Sequence, residues 1–177
     1  GAYALDNNTT GSQNTAVGYA SLTANTTADN NTALGWKSLY VNTTGASNVA
    51  VGKGALTANT TGNYNSAFGE NALLANTSGA QNSGIGRYTL ATNTTGNNNI
   101  AVGESALYAN TTASNNTAVG HSSLLANTTG ASNVSVGYRS LKANTTGSLN
   151  VAIGKEALYA NTTGANNTGV GGNVLNA

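Results

Sequence analysis

The sequence contains no cysteine, no proline and no methionine, and only 6% of its 177 residues are charged. The missing cysteines exclude a disulfide-stabilised fold. The formal net charge of +1 offers no basic surface, so we expect neither nucleic acid nor an anionic membrane as a partner. No run of about 18 apolar residues is present, which predicts no membrane insertion. The N-terminus lacks the charged and apolar regions of a signal peptide, and we expect any export signal to lie outside these residues.

Glycine, in contrast, is abundant and strictly periodic. It returns every 17 residues without an insertion or a deletion, which a disordered chain of similar composition does not do. The chain is therefore predicted to be a single repeat domain over residues 1–177. The repeats start at Gly1, Gly18, Gly35, Gly52, Gly69, Gly86, Gly103, Gly120, Gly137, Gly154 and Gly171.

Both ends follow the repeat. Gly1 begins in phase, and residues 171–175 still match the consensus. Solenoids normally close with atypical polar caps that cover the open sheet edge. We therefore expect this segment to be a fragment of a longer fibre or to stack end to end.

Numbering each repeat from its glycine separates fixed positions from variable ones. Position 5 is leucine from Leu5 to Leu175, position 17 is large and apolar from Val17 to Val170, and positions 8 and 14 are always asparagine. Such fixity indicates that each of these side chains contacts its own copy in the next repeat. All formal charges and most aromatic residues fall at positions 2, 3, 6 and 12, which we expect to face water.

The alternation of side chains predicts short strands and no helix. Positions 14 to 17 read polar, β-branched or small, small, then large apolar, as in residues 150–153. We expect positions 15 and 17 to share one face, and position 17, including Phe68, to join the leucines in the interior. A second short strand is predicted at positions 3 to 7, with Asn-Thr-Thr-Gly as the turn. Asparagine, threonine and glycine are poor helix formers.

The predicted fold class is all-β, a parallel β-solenoid or β-roll of about ten 17-residue coils with two short strands per coil. Stacked coils rise by about 4.8 Å each, so the rod would be about 48 Å long. Small residues at positions 1, 4, 7 and 16 either let neighbouring chains approach closely or fill a narrow interior. Two large apolar side chains per coil offset little of the entropy cost of ordering it, so we expect an oligomer.

No pattern indicates a catalytic, cofactor or metal site, and an enzyme is not expected. The single histidine, His121, occupies variable position 2, where lysine, glutamate and tyrosine also occur. The five acidic residues are scattered, which disfavours paired-carboxylate chemistry and the calcium-binding repeats of some β-rolls. The Gly-x-Gly spacings at 52–54 and 84–86 belong to the repeat and lack the strand-to-helix context of a phosphate loop.

The Asn-Thr-(Thr/Ser) at positions 8 to 10 has three interpretations. It is a sequon for N-glycosylation in every complete repeat. It is also a turn whose asparagine amides hydrogen-bond from coil to coil, which the equally invariant position 14 favours. Rows of threonine could bind ice, although at most one threonine per coil lines a given face of a strand. The candidate glycosylation sites are Asn8, Asn25, Asn42, Asn59, Asn76, Asn93, Asn110, Asn127, Asn144 and Asn161.

Aromatic residues at the variable positions form a candidate glycan-binding strip. Aromatic side chains at exposed positions supply the platforms on which sugars pack, and the alternative is that these positions simply tolerate them. The candidate glycan contacts are Tyr19, Trp36, Tyr40, Tyr108, Tyr138 and Tyr159.

The strand motif resembles a known family. Asn-Val-Ala-Val-Gly at 48–52, Asn-Thr-Ala-Val-Gly at 14–18 and Asn-Val-Ala-Ile-Gly at 150–154 are similar to the head repeats of trimeric autotransporter adhesins, which are left-handed parallel β-rolls. The longer form with Asn-Thr-Thr-Gly resembles repeats of phage-type tail fibre proteins and bacterial surface proteins. The resemblance implies a structural segment of an extracellular fibre or adhesin, on a cell surface or a virion. It also implies a homo-oligomer, with a trimer favoured. A host-surface glycan is the candidate ligand of the exposed aromatic residues.

Overall fold

The computed structural model describes residues 1–175, which form an all-β solenoid with one three-residue strand per repeat and no helix. The strands are β1 (Thr15–Val17), β2 (Thr32–Leu34), β3 (Val49–Val51), β4 (Ser66–Phe68), β5 (Ser83–Ile85), β6 (Ile100–Val102), β7 (Thr117–Val119), β8 (Val134–Val136), β9 (Val151–Ile153) and β10 (Thr168–Val170).

The ten strands form one parallel sheet in sequence order, which confirms the predicted fold class. Every residue pairs with its equivalent in the next repeat, for example Thr15 with Thr32 and Ala16 with Ala33. Parallel strands need a connection of about a dozen residues or more, and the rest of each 17-residue repeat supplies it as one turn of the solenoid. The strict period of the sequence therefore becomes the strict register of the sheet.

The predicted second strand at positions 3 to 7 is wrong, because these residues form turns. Positions 3 and 5 have positive φ angles, as in Lys37 (φ 53) and Leu22 (φ 53), and this left-handed conformation breaks an extended chain. The segment is still bonded from coil to coil. The Leu22 N–H donates to the Ser38 carbonyl at 2.9 Å, and the Ala24 N–H donates to the Tyr40 carbonyl at 3.1 Å.

The invariant leucines form the interior, as predicted. Position 4 and the central strand residue, position 16, pack against them, and in the middle coils these are alanine, serine, threonine or glycine. The small residues of these two rows therefore fill a narrow interior, which was one of the two interpretations offered for them. The fully buried leucines are Leu22, Leu39, Leu56, Leu73, Leu90, Leu107, Leu124 and Leu141.

The prediction that position 17 lies in the interior is wrong. Val17 is 54% exposed, Ile85 is 48% exposed and Phe68 is 41% exposed. The predicted alternation holds, but position 16 points inward while positions 15 and 17 point outward. The reason is volume, because a leucine and the position 4 residue already occupy the space that faces each strand, and only a small side chain fits between them.

Position 1 requires glycine for two reasons. Gly69 has a φ of +137°, which side-chain-bearing residues rarely adopt. A Cβ atom there would also lie 2.6 Å from the carbonyl oxygen of Gly86, its equivalent in the next coil. The row of glycines therefore lets successive coils stack closely at the end of each strand.

Candidate functional surfaces

The position 8 asparagines form a ladder along the solenoid. The Asn42 Nδ2 donates to the Asn25 Oδ1 at 3.1 Å and to the Gly45 carbonyl at 2.8 Å. The next coil repeats this arrangement, with Asn59 Nδ2 donating to Asn42 Oδ1 at 2.8 Å. Each amide therefore closes its own turn and also bonds to the coil before it, which confirms the predicted ladder.

The position 14 asparagines form a second ladder. The Asn48 backbone N–H donates to the Asn31 Oδ1 at 2.9 Å, and the Asn48 Nδ2 donates to the Gly62 carbonyl at 2.8 Å. Buried polar groups are costly unless they are hydrogen-bonded. Both ladders satisfy this requirement with side chains that are fully buried in the middle coils.

This geometry places the sequon asparagines inside the fold. An N-linked glycan replaces a hydrogen on Nδ2, and both hydrogens of Asn42, for example, are already donated to protein oxygens. Keeping the ladder and carrying a glycan are therefore incompatible at the fully buried members of the set. These are Asn25, Asn42, Asn59, Asn76, Asn93, Asn110, Asn127 and Asn144.

The two threonines that follow have different environments. The hydroxyl of position 9 bonds to the next coil, as when Thr43 Oγ1 donates to the Thr60 carbonyl at 3.0 Å. Position 10 points to solvent, as at Thr44 and Thr61. The turn therefore presents a single row of outward threonines, with Ser78 at one place in it.

Three of the predicted aromatic contacts meet at one end of the solenoid. The rings of Tyr3 and Tyr19 are in edge contact with centroids 5.6 Å apart. The Lys37 Nζ lies 4.7 Å from the Trp36 ring centroid and 5.0 Å from that of Tyr40. A cleft of about 290 Å³, hereafter the aromatic cleft, is lined by Tyr3, Tyr19, Ala20, Thr23, Lys37 and Tyr40, and Trp36 contacts it only through Lys37.

The other predicted aromatics form separate local pairs, so there is no continuous strip. The coils between them carry Lys53 and Glu70 at position 2. The predicted site left out Tyr3, Tyr88 and Lys37, which all occupy position 3. The pairs are Tyr108 with Tyr88, Tyr138 with His121 and Arg139, and Tyr159 with Lys142.

The outward side of the sheet is a third surface. It consists of positions 15 and 17, the first and last residues of every strand β1 to β10, and is called the outer sheet face below. These residues are valine, isoleucine, leucine, phenylalanine, threonine or serine, and none carries a charge. Position 13 borders this face on one side and position 2 on the other, and both are mostly polar.

Comparison with known proteins adds no relative. No family model, curated protein or solved structure matches this chain. Within residues 1–175 no helix is long and apolar enough to cross a membrane. The same residues contain no group of three or more histidine, cysteine, aspartate or glutamate side chains placed to hold a metal ion.

Position 2 faces water almost throughout, as predicted, but the prediction is wrong for position 3, where Ala20, Gly54 and Ser122 are buried and Glu156 is half-buried. Several charged side chains pair along the rod. Lys53 contacts Glu70 at 3.2 Å, and Arg87 contacts Glu70 at 3.5 Å and Glu104 at 3.2 Å. Exposed ion pairs of this kind contribute at most about 1 kcal/mol each. They are a surface feature of positions that vary, and the ladders and the leucine interior provide the main stabilisation.

Proposed function

We propose that this chain is a structural segment of an extracellular fibre or adhesin, a rod on a cell surface or virion that projects or presents a surface. The observation that supports this role is the uninterrupted bonding of each coil to the next through one parallel sheet and two asparagine ladders. In such a solenoid each repeat contacts only its neighbours, so length is set by the number of repeats.

Different positions of the repeat build the rod and form its surface, and this separation also supports a role in display. The positions that build the rod, namely 1, 5, 8, 14 and 16, are fixed or nearly fixed and largely buried. Positions 2, 3 and 6 vary between charged, aromatic and small residues. The two asparagine ladders are the same in coils that differ at these positions. The scaffold can therefore carry different surfaces without loss of its fold.

A non-enzymatic role is part of this proposal. The one histidine, His121, is exposed and stacks on Tyr138 with ring centroids 5.6 Å apart. A general base needs a hydrogen-bonded partner and an environment that tunes its pKa. The stack on a tyrosine ring fits a surface contact better than a catalytic pair.

The location can be tested with antibodies raised against the folded chain. Applied to intact cells or particles of the organism that encodes it, they should label filaments on the outside under the electron microscope. An antibody against a cytoplasmic protein of the same organism is the control for intactness. Labelling that appears only after permeabilisation would contradict the extracellular role.

The aromatic cleft supports a second function, binding of a glycan. Tyr19 and Tyr40 offer ring faces and hydroxyls, and the Lys37 ammonium adds a positive charge at the same place. Small-ligand sites combine apolar walls with a few polar groups in this way. The ammonium favours a saccharide that carries a carboxylate or sulfate.

A glycan array with matched variants tests this second function. Tyr19→Ala and Tyr40→Ala should both lose binding to acidic saccharides. Tyr64→Ala is the control, because Tyr64 is 65% exposed and occupies position 13, away from the cleft. The cleft is not the site if wild type binds no acidic saccharide or if all three variants bind as wild type does.

A further inference from the structure

We infer that the hydroxyls of position 10 are acceptors for O-linked glycosylation, so that the rod carries a row of sugars along its Asn-Thr-Thr-Gly turns. The inference goes beyond the fibre role, because it assigns a modification site and a co-reactant, a nucleoside diphosphate sugar. The acceptor is the hydroxyl oxygen two residues after each sequon asparagine, and not the asparagine. The acceptor residues are Thr10, Thr27, Thr44, Thr61, Ser78, Thr95, Thr112, Thr129, Thr146 and Thr163.

Position 10 keeps a hydroxyl in every complete repeat, although it is exposed in every one. Other exposed positions of the rod are not fixed in this way. Position 2 ranges from lysine to tryptophan, and position 13 ranges from serine to leucine. Position 15 of the outer sheet face is threonine or serine in some strands and valine or isoleucine in others. Exposure alone therefore does not explain the hydroxyl at position 10.

The fold does not use this hydroxyl. At position 9, Thr60 Oγ1 donates to the Thr77 carbonyl at 3.0 Å and so joins one coil to the next. The adjacent Thr61 is exposed, and its side-chain oxygen bonds to no other residue among residues 1–175. The same holds for the whole row over those residues. The invariant asparagines of positions 8 and 14, in contrast, each bond to a neighbouring coil.

Ser78 shows which part of the side chain the row requires. Threonine is β-branched and restricts its own rotamers, whereas serine lacks the second branch. The row therefore tolerates the loss of the methyl group at Ser78 and still keeps the oxygen. A requirement for branching would admit valine, and a requirement for polarity alone would admit asparagine, as position 13 does. The property shared by all members of the row is a hydroxyl that can accept a covalent group.

The surroundings of the row leave room for an enzyme and for its product. Position 11 is always glycine or alanine, and position 12 is alanine, serine, asparagine or, at Asp29, aspartate. No aromatic side chain occurs at positions 7 to 12 of any complete repeat. Successive coils are about 4.8 Å apart, close to the thickness of one sugar ring. The row therefore has room for one unbranched sugar per coil.

The alternatives at the same turn fit less well. Both amide hydrogens of Asn59 are donated, to the Asn42 Oδ1 at 2.8 Å and to the Gly62 carbonyl at 3.0 Å, so an N-linked sugar would break the ladder. An ordered surface such as ice needs contacts in two directions, and the row is one residue wide. Covalent attachment needs only one accessible acceptor at a time, which each coil provides.

The transfer uses the ordinary chemistry of a hydroxyl acceptor. The threonine Oγ1 forms a bond to the anomeric carbon of the sugar, the bond from that carbon to the phosphate oxygen breaks, and the nucleoside diphosphate leaves. The hydroxyl proton passes to a base of the transferase. The product suits a rod with 6% charged residues and a net charge of +1, because a net charge near zero promotes association and sugars add hydration.

Mass spectrometry of the protein purified from the organism that encodes it tests the inference. Electron-transfer fragmentation should locate sugars on the residues of position 10. Mild alkali should release them by β-elimination, and an N-glycosidase should leave them in place. Native protein that carries no sugar, or sugars confined to other positions, would overturn the inference.

Matched variants expressed in the same organism identify the acceptor atom. Thr112→Val/Thr129→Val keeps the size and branching of two exposed residues and should lose the sugars of those two coils. Thr112→Ser/Thr129→Ser keeps the hydroxyls and should retain both sugars, as Ser78 does. The control is Thr15→Val, which changes an exposed threonine of the outer sheet face and should leave the sugar pattern unchanged. Circular dichroism checks that all three variants fold.

The outcomes also separate this inference from the fibre role. A valine variant that carries as many sugars as wild type would show that the acceptors lie elsewhere, and the inference would fail. Antibody labelling found only inside cells would remove the fibre role and leave a mapped row of sugars standing. A chain that is labelled on the outside and carries no sugar would do the reverse.

Discussion

Gly84 faces Thr89 across the interior of the solenoid, and a Cβ atom on Gly84 would lie 2.8 Å from the Thr89 Oγ1. Gly169 and Val174 have the same relationship, with 3.1 Å between the added Cβ and a valine methyl group. In the other coils, the position 16 residue and the position 4 residue that lies five residues after it are both alanine or serine. Glycine thus occurs at position 16 where the position 4 residue that follows it is β-branched.

This relationship predicts a strong coupling between the two sites. Gly84→Ala should destabilise the protein by about 1–3 kcal/mol, the usual cost of overpacking a core. The double variant Gly84→Ala/Thr89→Ala recreates the alanine pair that Ala67 and Ala72 form one coil earlier, and it should recover most of the loss. Urea unfolding of the four species of the cycle measures the coupling. Strictly additive effects would show that the two positions do not compete for space.

A leucine of the interior should matter far more than a charge of the surface. Leu90 is fully buried, and Leu90→Ala should lower the free energy of unfolding by about 2–5 kcal/mol. Glu104→Ala removes an exposed ion pair with Arg87 and should change it by about 0.5 kcal/mol or less. Thermal unfolding of the two variants compares them directly. Equal small shifts would contradict the assignment of inside and outside.

The position 14 ladder predicts a contrast between adjacent asparagines. Asn99→Ala removes the acceptor of the Asn116 N–H and the donor to the Ala113 carbonyl, and each orphaned buried group costs about 1–3 kcal/mol. Asn98→Ser is the control, because Ser47 occupies the same position with nearly the same φ. Chemical denaturation should show a much larger loss for Asn99→Ala. Equal tolerance at both sites would contradict the structural role of the ladder.

Asp29 should titrate at an unusually low pH. Its Oδ1 accepts hydrogen bonds from the Ser12 backbone N–H at 2.6 Å and from the Ser12 hydroxyl at 3.0 Å, and these bonds lower the pKa of the carboxyl. A pKa that is lower in the folded state adds stability above the ordinary aspartate pKa. That stability is lost as the pH falls through the lowered value.

Carbon-detected NMR of the Asp29 carboxyl measures this titration. Ser12→Ala removes the hydroxyl donor and should raise the midpoint part of the way toward the ordinary value, while the backbone donor remains. Asp29→Asn keeps an acceptor, as Asn63 does for the Ala46 N–H at 2.7 Å, and should abolish the titration. A midpoint at or above the ordinary aspartate value would refute the assigned hydrogen bonds.

The conformation of the turn between Gly18 and Asn25 could not be predicted from the sequence. Leucine at position 5 predicted an extended segment, yet Leu22 adopts a left-handed φ that leucine rarely takes. The identity of the residue carries no sign of this, because the backbone is held there by coil-to-coil hydrogen bonds and by the burial of the side chain. The aromatic cleft was hidden for a related reason, since Tyr3, Tyr19 and Tyr40 come together only once positions 3, 2 and 6 of successive coils are stacked.

The sequence by itself determined the period, the parallel register, the leucine interior and the asparagine ladders. Identical side chains at a fixed spacing bury and bond best against their own copies, and Asn42 and Asn59 do so. Only the tertiary structure decided which side of each strand faces inward. The alternation of side chains in Ser66–Phe68 is compatible with either face of the strand pointing inward. The space left by the leucines decides which face does so. That space admits Ala67 and excludes Phe68, so the largest apolar residues of the repeat lie on the outside of the sheet.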